Sequence, residues 1–347
     1  MKEQVMRTPS ETALAAPAAR AARRAARLAP RALLCAALLL AAGQAAAQGY
    51  PSRPVRLIVT QAAGGAPDLI ARLVAERLSR SLGQSVIVEN RPGGANVVGT
   101  QAVAHAPADG YTLLFATAAA LVTNPYTLKS LPYDPAKDFA PVGMVGKNPF
   151  LVMINATVPA KSLADLVVLD RKDPGALAFA TDGPRNFSGM VAAWLNKVAG
   201  TRIAIVPYAA MPQGIQDTVA GRTQLTILAP AAAGPMMKRG DLRALAQTGA
   251  RRVPGYEDVP TVAETFPGFE FTGWFAIVAP AGTPAEAIRR MNQELDVALK
   301  DATLVERMRA ISFFTDGALT PEATGEFIRA EYARWGRVVR EIGVQPE

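Results

Sequence analysis

The sequence predicts an α/β fold in which parallel sheets are covered by helices on both faces. Three observations carry this. Short β-branched runs alternate with amphipathic helical stretches along most of the chain, the pattern of repeated strand–helix–strand units. Of the 347 residues 50% are hydrophobic and 19% charged, enough to bury the core of one large domain or two ordinary ones, and too apolar for a disordered chain. A single Cys and a single His exclude a disulfide framework, a Cys-based zinc site and a multi-His metal centre, so the fold has to stand on packing.

The elements follow in order. Val55–Thr60 reads as a strand, broken by Gly64-Gly65-Ala66-Pro67-Asp68. Leu69, Ile70, Leu73, Val74, Leu78 and Leu82 then recur at helical spacing, so Asp68–Leu82 is expected to be a helix stopped by Gly83. Val86–Val88 is the next strand, followed by a helix near Asn96–His105 and a strand Tyr111–Ala116. Further on the expected strands are Phe150–Ile154, Leu177–Ala180, Ile203–Val206, Thr223–Leu228 and Arg243–Ala246. Between them come helices Leu163–Arg171, Met190–Ala199 and Gly214–Ala220. Thr283-Pro284-Ala285-Glu286 has the residue order of a capping box, and Thr320-Pro321 starts a last helix running to about Ile342. No internal repeat or low-complexity linker interrupts the chain.

The net charge of +8 suggests a nucleic-acid binder until it is divided by position. Residues 1–47 hold seven basic and two acidic side chains, leaving 30 basic against 27 acidic residues elsewhere, a net of +3. That balance argues against a phosphate-backbone binder. Residues 1–47 read instead as an export signal: a basic stretch to Arg31, an apolar run Ala32–Ala42, and Ala45-Ala46-Ala47 as a cleavage site before Gln48. The apolar run falls short of the ~20 residues that span a bilayer. Cys35 follows a bulky Leu34, which does not suit a lipid-attachment site. A cleaved, cysteine-free, exported protein is expected, most simply in a bacterial periplasm.

Few residues offer catalysis. There is no Gly-Lys-Ser/Thr phosphate loop, no G-x-G-x-x-G and no G-x-S-x-G elbow. His105 stands at a helix end before Pro107, where an imidazole suits the helix dipole. The Gly64–Asp68 loop lies between a strand and a helix start, where free N–H groups favour a carboxylate; a plain glycine turn with Asp68 as helix cap is the alternative. Arg185, in the loop Gly183–Gly189, is either a solvated charge or a bidentate carboxylate clamp. Tyr208, Trp194 and Trp274 could line a pocket or fill the core.

Taken in order, the loops resemble a family. The pieces are Tyr50–Arg56, Ala62–Asp68, Val88-Glu89-Asn90-Arg91-Pro92-Gly93-Gly94, Pro107–Leu113, Leu131–Pro135 with Asp138–Val142, Val206-Pro207-Tyr208, Leu242–Ala246, Asp258–Glu264 and Ala279–Pro284. From about Tyr50 to Glu347 the chain is similar to the Bug-type (Bordetella uptake gene) substrate-binding proteins of tripartite tricarboxylate transporters. The resemblance implies a type II periplasmic binding protein: two α/β lobes, a ligand cleft and a crossing-strand hinge. The first lobe would take 48–151 and 273–347, the second 152–272. The ligand would be a small carboxylate, held by Gly64, Gly65, Asp68, Thr117 and Ala118 from one lobe and by Thr181, Arg185, Ser188, Tyr208 and Leu228 from the other. No cofactor, metal or nucleic acid is implied. The partner would be the permease subunits of such a transporter, or else a membrane sensor, and a cleft enzyme is the reading the residue inventory favours least.

The chain departs from the family's usual loops. Ala118-Ala119-Ala120, Phe187, Ala209-Ala210-Met211, Leu228 and Ala229 stand where polar residues are common. Apolar walls favour a ligand with one carboxylate, or at most two, and an apolar or aromatic body; the alternative is that these side chains pack beneath the loops.

Overall fold

The computed structural model describes residues 49–346, and from Arg53 onward they form one compact unit. The expected export signal, 1–47, lies outside the described residues. Two five-stranded sheets carry the fold. The first, in spatial order β2-β1-β3-β10-β4, holds Val86–Asn90, Val55–Val59, Thr112–Thr117, Thr272–Pro280 and Phe139–Pro149. The second, β7-β6-β8-β5-β9, holds Ala204–Pro207, Ala178–Thr181, Leu225–Leu228, Leu151–Asn155 and Leu242–Gln247.

Each sheet therefore has three parallel strands and one antiparallel strand between the third and the outermost. β10 runs antiparallel to β3 and β4, and β5 antiparallel to β8 and β9. The expectation of purely parallel sheets needs that correction, and the physical reason lies in the connections. Strand β4 continues through Phe150 directly into β5, so the chain enters the second sheet already extended and without a helical crossover. β10 brings it back. The two crossing segments are tied at Thr248, whose N–H donates to the Phe150 carbonyl (2.9 Å) while its hydroxyl accepts from the Phe150 N–H (3.0 Å). The Phe271 N–H donates to the Thr248 carbonyl at 2.8 Å.

The helices of eight or more residues are α1 (Ala66–Leu82), α2 (Val97–Ala104), α3 (Leu163–Lys172), α4 (Phe187–Ala199), α5 (Met211–Val219), α6 (Pro230–Arg239), α7 (Ala285–Leu299), α8 (Ala302–Ala310) and α9 (Pro321–Glu341). α1 shows why the apolar spacing worked: Ile70, Val74, Leu78 and Leu82 fall on one buried stripe. Each such side chain contributes about 2 kcal/mol by leaving water. The capping box expected at Thr283 is absent, because α7 begins one residue later, at Ala285. Pro284 becomes the N-cap, Glu286 falls one place short of the reach-back position, and the Thr283 hydroxyl donates to the Pro280 carbonyl (2.7 Å). A capping box does occur at Thr261–Glu264. Arg252 pairs with Glu264 there and, together with the Thr261 N–H, holds its carboxyl down at about 2.

A column of aromatics runs through the crossover: Trp335 of α9 against Phe271 (4.8 Å), Phe271 against Phe187 (6.2 Å), and Phe187 against Phe150 (4.4 Å). Trp274 is fully buried and donates its indole N–H to Glu331 at 3.1 Å. It is a core residue. Among the described residues no helix is long and apolar enough to cross a membrane.

Candidate ligand-binding site

All ten residues singled out from the sequence lie at the carboxyl end of a parallel strand or in the segment that follows it. After β1 the chain turns at Gly64 (φ +86°), a left-handed conformation that glycine accepts without strain, and enters α1 with Gly65 as N-cap. No side chain caps this helix. Asp68, the third helical residue and 2% exposed, reaches back instead: its carboxylate accepts from the Gly64 N–H (2.9 Å), from Arg72 Nε (3.0 Å) and from Asn90 Nδ2 (2.9 Å). Burial alone would raise its pKa, but Arg72, the Gly64 N–H and Asn90 outweigh it and hold the carboxyl below its ordinary value of 3.8. Asp68 thus shapes the glycine loop from below, a role different from the plain N-cap considered for it.

Beside this loop a small amide network completes the edge of the first sheet. Asn96, in the left-handed region (φ +76°), accepts at Oδ1 from the Thr60 hydroxyl (2.9 Å) and from Gln61 Nε2 (2.6 Å). Asn124 donates to the Ala95 carbonyl at 2.7 Å. Thr117 ends β3 and accepts the Ala120 N–H (3.3 Å), opening a π-helical turn, Ala119–Thr123, in which Ala118 is the N-cap. π turns interrupt α geometry and are frequent where a backbone is shaped for a ligand. Ala118 packs against the core.

At the second sheet, Thr181 is fully buried and its carbonyl accepts the Tyr208 N–H (2.9 Å), which brings the ends of β6 and β7 together. Asp182, which the sequence reading missed, accepts from the Ser188 N–H (3.2 Å) and hydroxyl, while Ser188 Oγ accepts the Asp182 N–H at 2.9 Å. The two residues lock the Gly183–Asn186 loop over the start of α4, with Arg185 exposed at its tip. Gly189 makes the lock possible, since a Cβ there would stand 2.0 Å from the Gly183 carbonyl oxygen. The Tyr208 hydroxyl donates to Asp217 (2.9 Å). Burial and that carboxylate both push the phenol pKa up, and the Tyr208 hydrogen bond followed by Arg222 draws Asp217 down.

The apolar replacements divide: Ala120 and Leu228 are buried, Ala118, Ala119, Phe187, Met211 and Ala229 are half-buried, and Ala209 and Ala210 are exposed. Leu228 is 4% exposed and packs with Leu151, Met153, Ala233 and Leu242. Phe187 is held between Phe150 and Phe271. His105 follows the last residue of α2 and its N–H donates to the Gln101 carbonyl, as its place in the sequence suggested. Among the described residues there is no group of three or more His, Cys, Asp or Glu side chains able to hold a metal.

Of the missed residues, Asn90 had a signal in the Glu89-Asn90-Arg91-Pro92-Gly93-Gly94 motif. Asp182 had none, because a carboxylate six residues ahead of its serine matches no local capping pattern.

Two α/β sheets joined by two crossing segments, with shaped loops at the carboxyl ends of their parallel strands, define a two-lobed solute-binding protein. The chain belongs to the family described as the tripartite tricarboxylate transporter family receptor, whose model matches residues 70–344. It is 35% identical to the protein BugT of Bordetella pertussis, over 88% of this chain and 94% of that one. Among solved structures it is similar to Rpa4515 of R. palustris with adipate, at 33% identity and a TM-score of 0.72, covering 86% of this chain and all of the other. It is also similar to MatC of Rhodopseudomonas palustris with bound malate, at 28% identity and a TM-score of 0.66, covering 84% of this chain and all of the other. The protein is thus a binding receptor of the Bug type and not an enzyme, and its family places it in the periplasm.

Proposed function

We propose that the protein captures a small aliphatic acid with one or two carboxylates between its lobes and delivers it to the membrane subunits of a tripartite transporter. The lobes would be 48–151 with 273–347, and 152–272, and the chain would reach the periplasm by cleavage before Gln48. One observation carries the reading. Helices α1, α2, α4, α5 and α6 all follow the carboxyl end of a parallel strand, and none of them has an N-cap side chain bonded to its first turn. Asp182 accepts the Ser188 N–H of α4 and Ser312 the Ala231 N–H of α6, so the first turns without a side-chain acceptor are those of α1, α2 and α5. Of the helices that start elsewhere, α3, α8 and α9 are capped by Ser162, Asp301 and Thr320, and α7, with Pro284 as N-cap, is not capped by a side chain. An uncapped helix start offers N–H donors and the positive end of a dipole, which suits a carboxylate. Gly65 and Ala210 are the N-caps of α1 and α5, and neither has a side-chain acceptor to compete with a ligand.

The neighbours that hold adipate and malate support two carboxylates as the upper limit. Leu228 is buried and Phe187 is half-buried between Phe150 and Phe271, so the apolar character of the walls would come more from alanine than from large side chains. Thermal-shift and calorimetric titration with adipate, malate, citrate and benzoate tests the proposal. Adipate or malate is expected to give the largest stabilisation; citrate giving it would overturn the limit of two carboxylates, and no response to any acid would overturn the proposal itself.

A further inference from the structure

Helix α8 ends in a closed turn: the Ser312 N–H donates to the Arg309 carbonyl (2.9 Å) and the Phe313 N–H to the Met308 carbonyl (3.0 Å). This pairing places Ser312 in the left-handed region, at φ +61°, where glycine is the usual occupant because it has no Cβ to strain. Ser312 is nevertheless a serine, and its side chain is 2% exposed. Its hydroxyl oxygen accepts the N–H of Ala231, in the first turn of α6. Since Ala229 gives that helix no cap of its own, the missing cap comes from a residue 81 positions away.

The contact joins the two sheets. Phe314 exchanges both main-chain hydrogen bonds with Lys147 of β4 (2.8 Å each), and Phe313 stacks on Phe275 of β10 at 4.8 Å, so the segment after α8 is seated on the first sheet. Ala233 of α6 packs with Leu151, Met153 and Leu242, which belong to the second sheet. Four residues after Ser312, Asp316 pairs with Arg251, which follows β9 of the second sheet. Both links lie outside the strands that cross between the sheets.

We infer that Ser312 is a positioning residue for ligand binding: its hydroxyl holds the start of α6 against the first sheet in the arrangement that completes the site. The inference rests on the binding function proposed above. It explains a serine at a backbone position that glycine would occupy with less strain. The residue acts on the ligand only through α6.

The test compares Ser312→Gly and Ser312→Asn in the full chain. Glycine keeps the backbone and deletes the acceptor, whereas asparagine tolerates the left-handed region and restores an acceptor oxygen. Adipate affinity is measured by calorimetry, ligand-free stability by melting, and the Ala231 amide by hydrogen exchange. Ser312→Gly is expected to weaken adipate about fivefold, the size of a lost cap. Its ligand-free melting temperature should not fall, because glycine relieves the left-handed strain. Exchange at Ala231 should rise about tenfold or more, and Ser312→Asn should recover most of both losses. Unchanged adipate affinity in Ser312→Gly would overturn the inference, as would equal losses in the glycine and asparagine variants. If the parent protein binds neither adipate nor malate, the proposed function fails on its own; the ligand-free exchange then decides this inference, and an unaltered Ala231 amide rejects it.

Discussion

Helices α1 and α4 each follow a parallel strand through a glycine-containing loop, and in each case an aspartate closes the loop, but from opposite directions. Asp68 lies inside α1 and reaches back to the Gly64 N–H, with its charge met by Arg72. Asp182 lies ahead of α4 and reaches forward to the Ser188 N–H, so that a negative charge already occupies the helix start. One loop is built from below and leaves the first turn to a ligand. The other has spent part of its first turn on its own chain. The anion-binding capacity should therefore be greatest at α1, and the second sheet should contribute fit more than charge.

The two glycines at these loops give the largest separation. Gly65 has φ −73° and ψ 163°, which any residue adopts, and a Cβ there would meet only ordinary contacts, 3.5 Å from the Ala62 carbonyl oxygen and 3.7 Å from Pro67 Cδ. Gly65→Val should leave the melting temperature nearly unchanged while obstructing the N–H groups, weakening adipate about a hundredfold, roughly 2.7 kcal/mol. Gly189→Ala should do the reverse. Its Cβ would overlap the Gly183 carbonyl, and the forced shift should cost about 3 kcal/mol of stability. Denaturant melts and calorimetry on both variants read the two effects apart. Retained adipate affinity in Gly65→Val would move the carboxylate away from α1.

The aspartates come next. Asp68→Asn turns one of the two buried acceptor oxygens into an N–H donor facing the donors it served, removes the charge beside Arg72, and should cost about 2 kcal/mol at neutral pH. The pH dependence follows from the depressed pKa. A carboxyl lowered in the folded state stabilises the fold above its unfolded pKa and loses that contribution as the pH falls through the folded one. The stability gap between the parent and Asp68→Asn should thus be full at pH 7 and shrink below about pH 4. Asp182→Asn keeps an oxygen for Ser188 and removes only the charge. Adipate binding should tighten about threefold, with little change in stability. Weaker adipate binding in that variant would mean that Asp182 meets a donor on the ligand.

The strand–helix alternation and the carboxyl-end loops were legible because hydrophobic period and glycine punctuation act locally. Ile70, Val74 and Leu78 announce α1 whatever surrounds it. The long crossing strands β4 and β10 were not legible, and glycine is one reason. Gly143 and Gly146 look like breakers of β4, yet they serve close packing: a Cβ at Gly146 would stand 2.4 Å from the Phe314 carbonyl oxygen, and one at Gly143 would stand 2.9 Å from Asn292 Nδ2. Those neighbours lie more than a hundred residues away, so no local pattern encodes them. The site divided along the same line. Gly64, Gly65 and Ser188 could be chosen from their motifs, whereas Asp182 and Ser312 act through partners that only the fold brings near.

The smallest effects fall on the caps themselves, and they test whether the uncapped helix starts are left open for a ligand. Ala210, the N-cap of α5, is exposed and already extended, with φ −136° and ψ 117°. Ala210→Ser would place a hydroxyl oxygen near the Gln213 N–H, which donates to the Ala210 carbonyl at 3.1 Å, because Pro212 in the second position has no N–H to give. A new cap should stabilise the protein by about 0.5–1 kcal/mol. By adding a second acceptor at a helix start that the ligand would use, it should also weaken adipate about threefold. Thr320→Ala gives the opposite pair of outcomes. It deletes the hydroxyl that accepts the Ala323 N–H at the start of α9, costing about 1 kcal/mol, and should leave adipate affinity unchanged. Melting and titration of the two variants side by side decide the matter. If Ala210→Ser stabilised the protein without any loss of affinity, the start of α5 would be open for a reason other than the ligand.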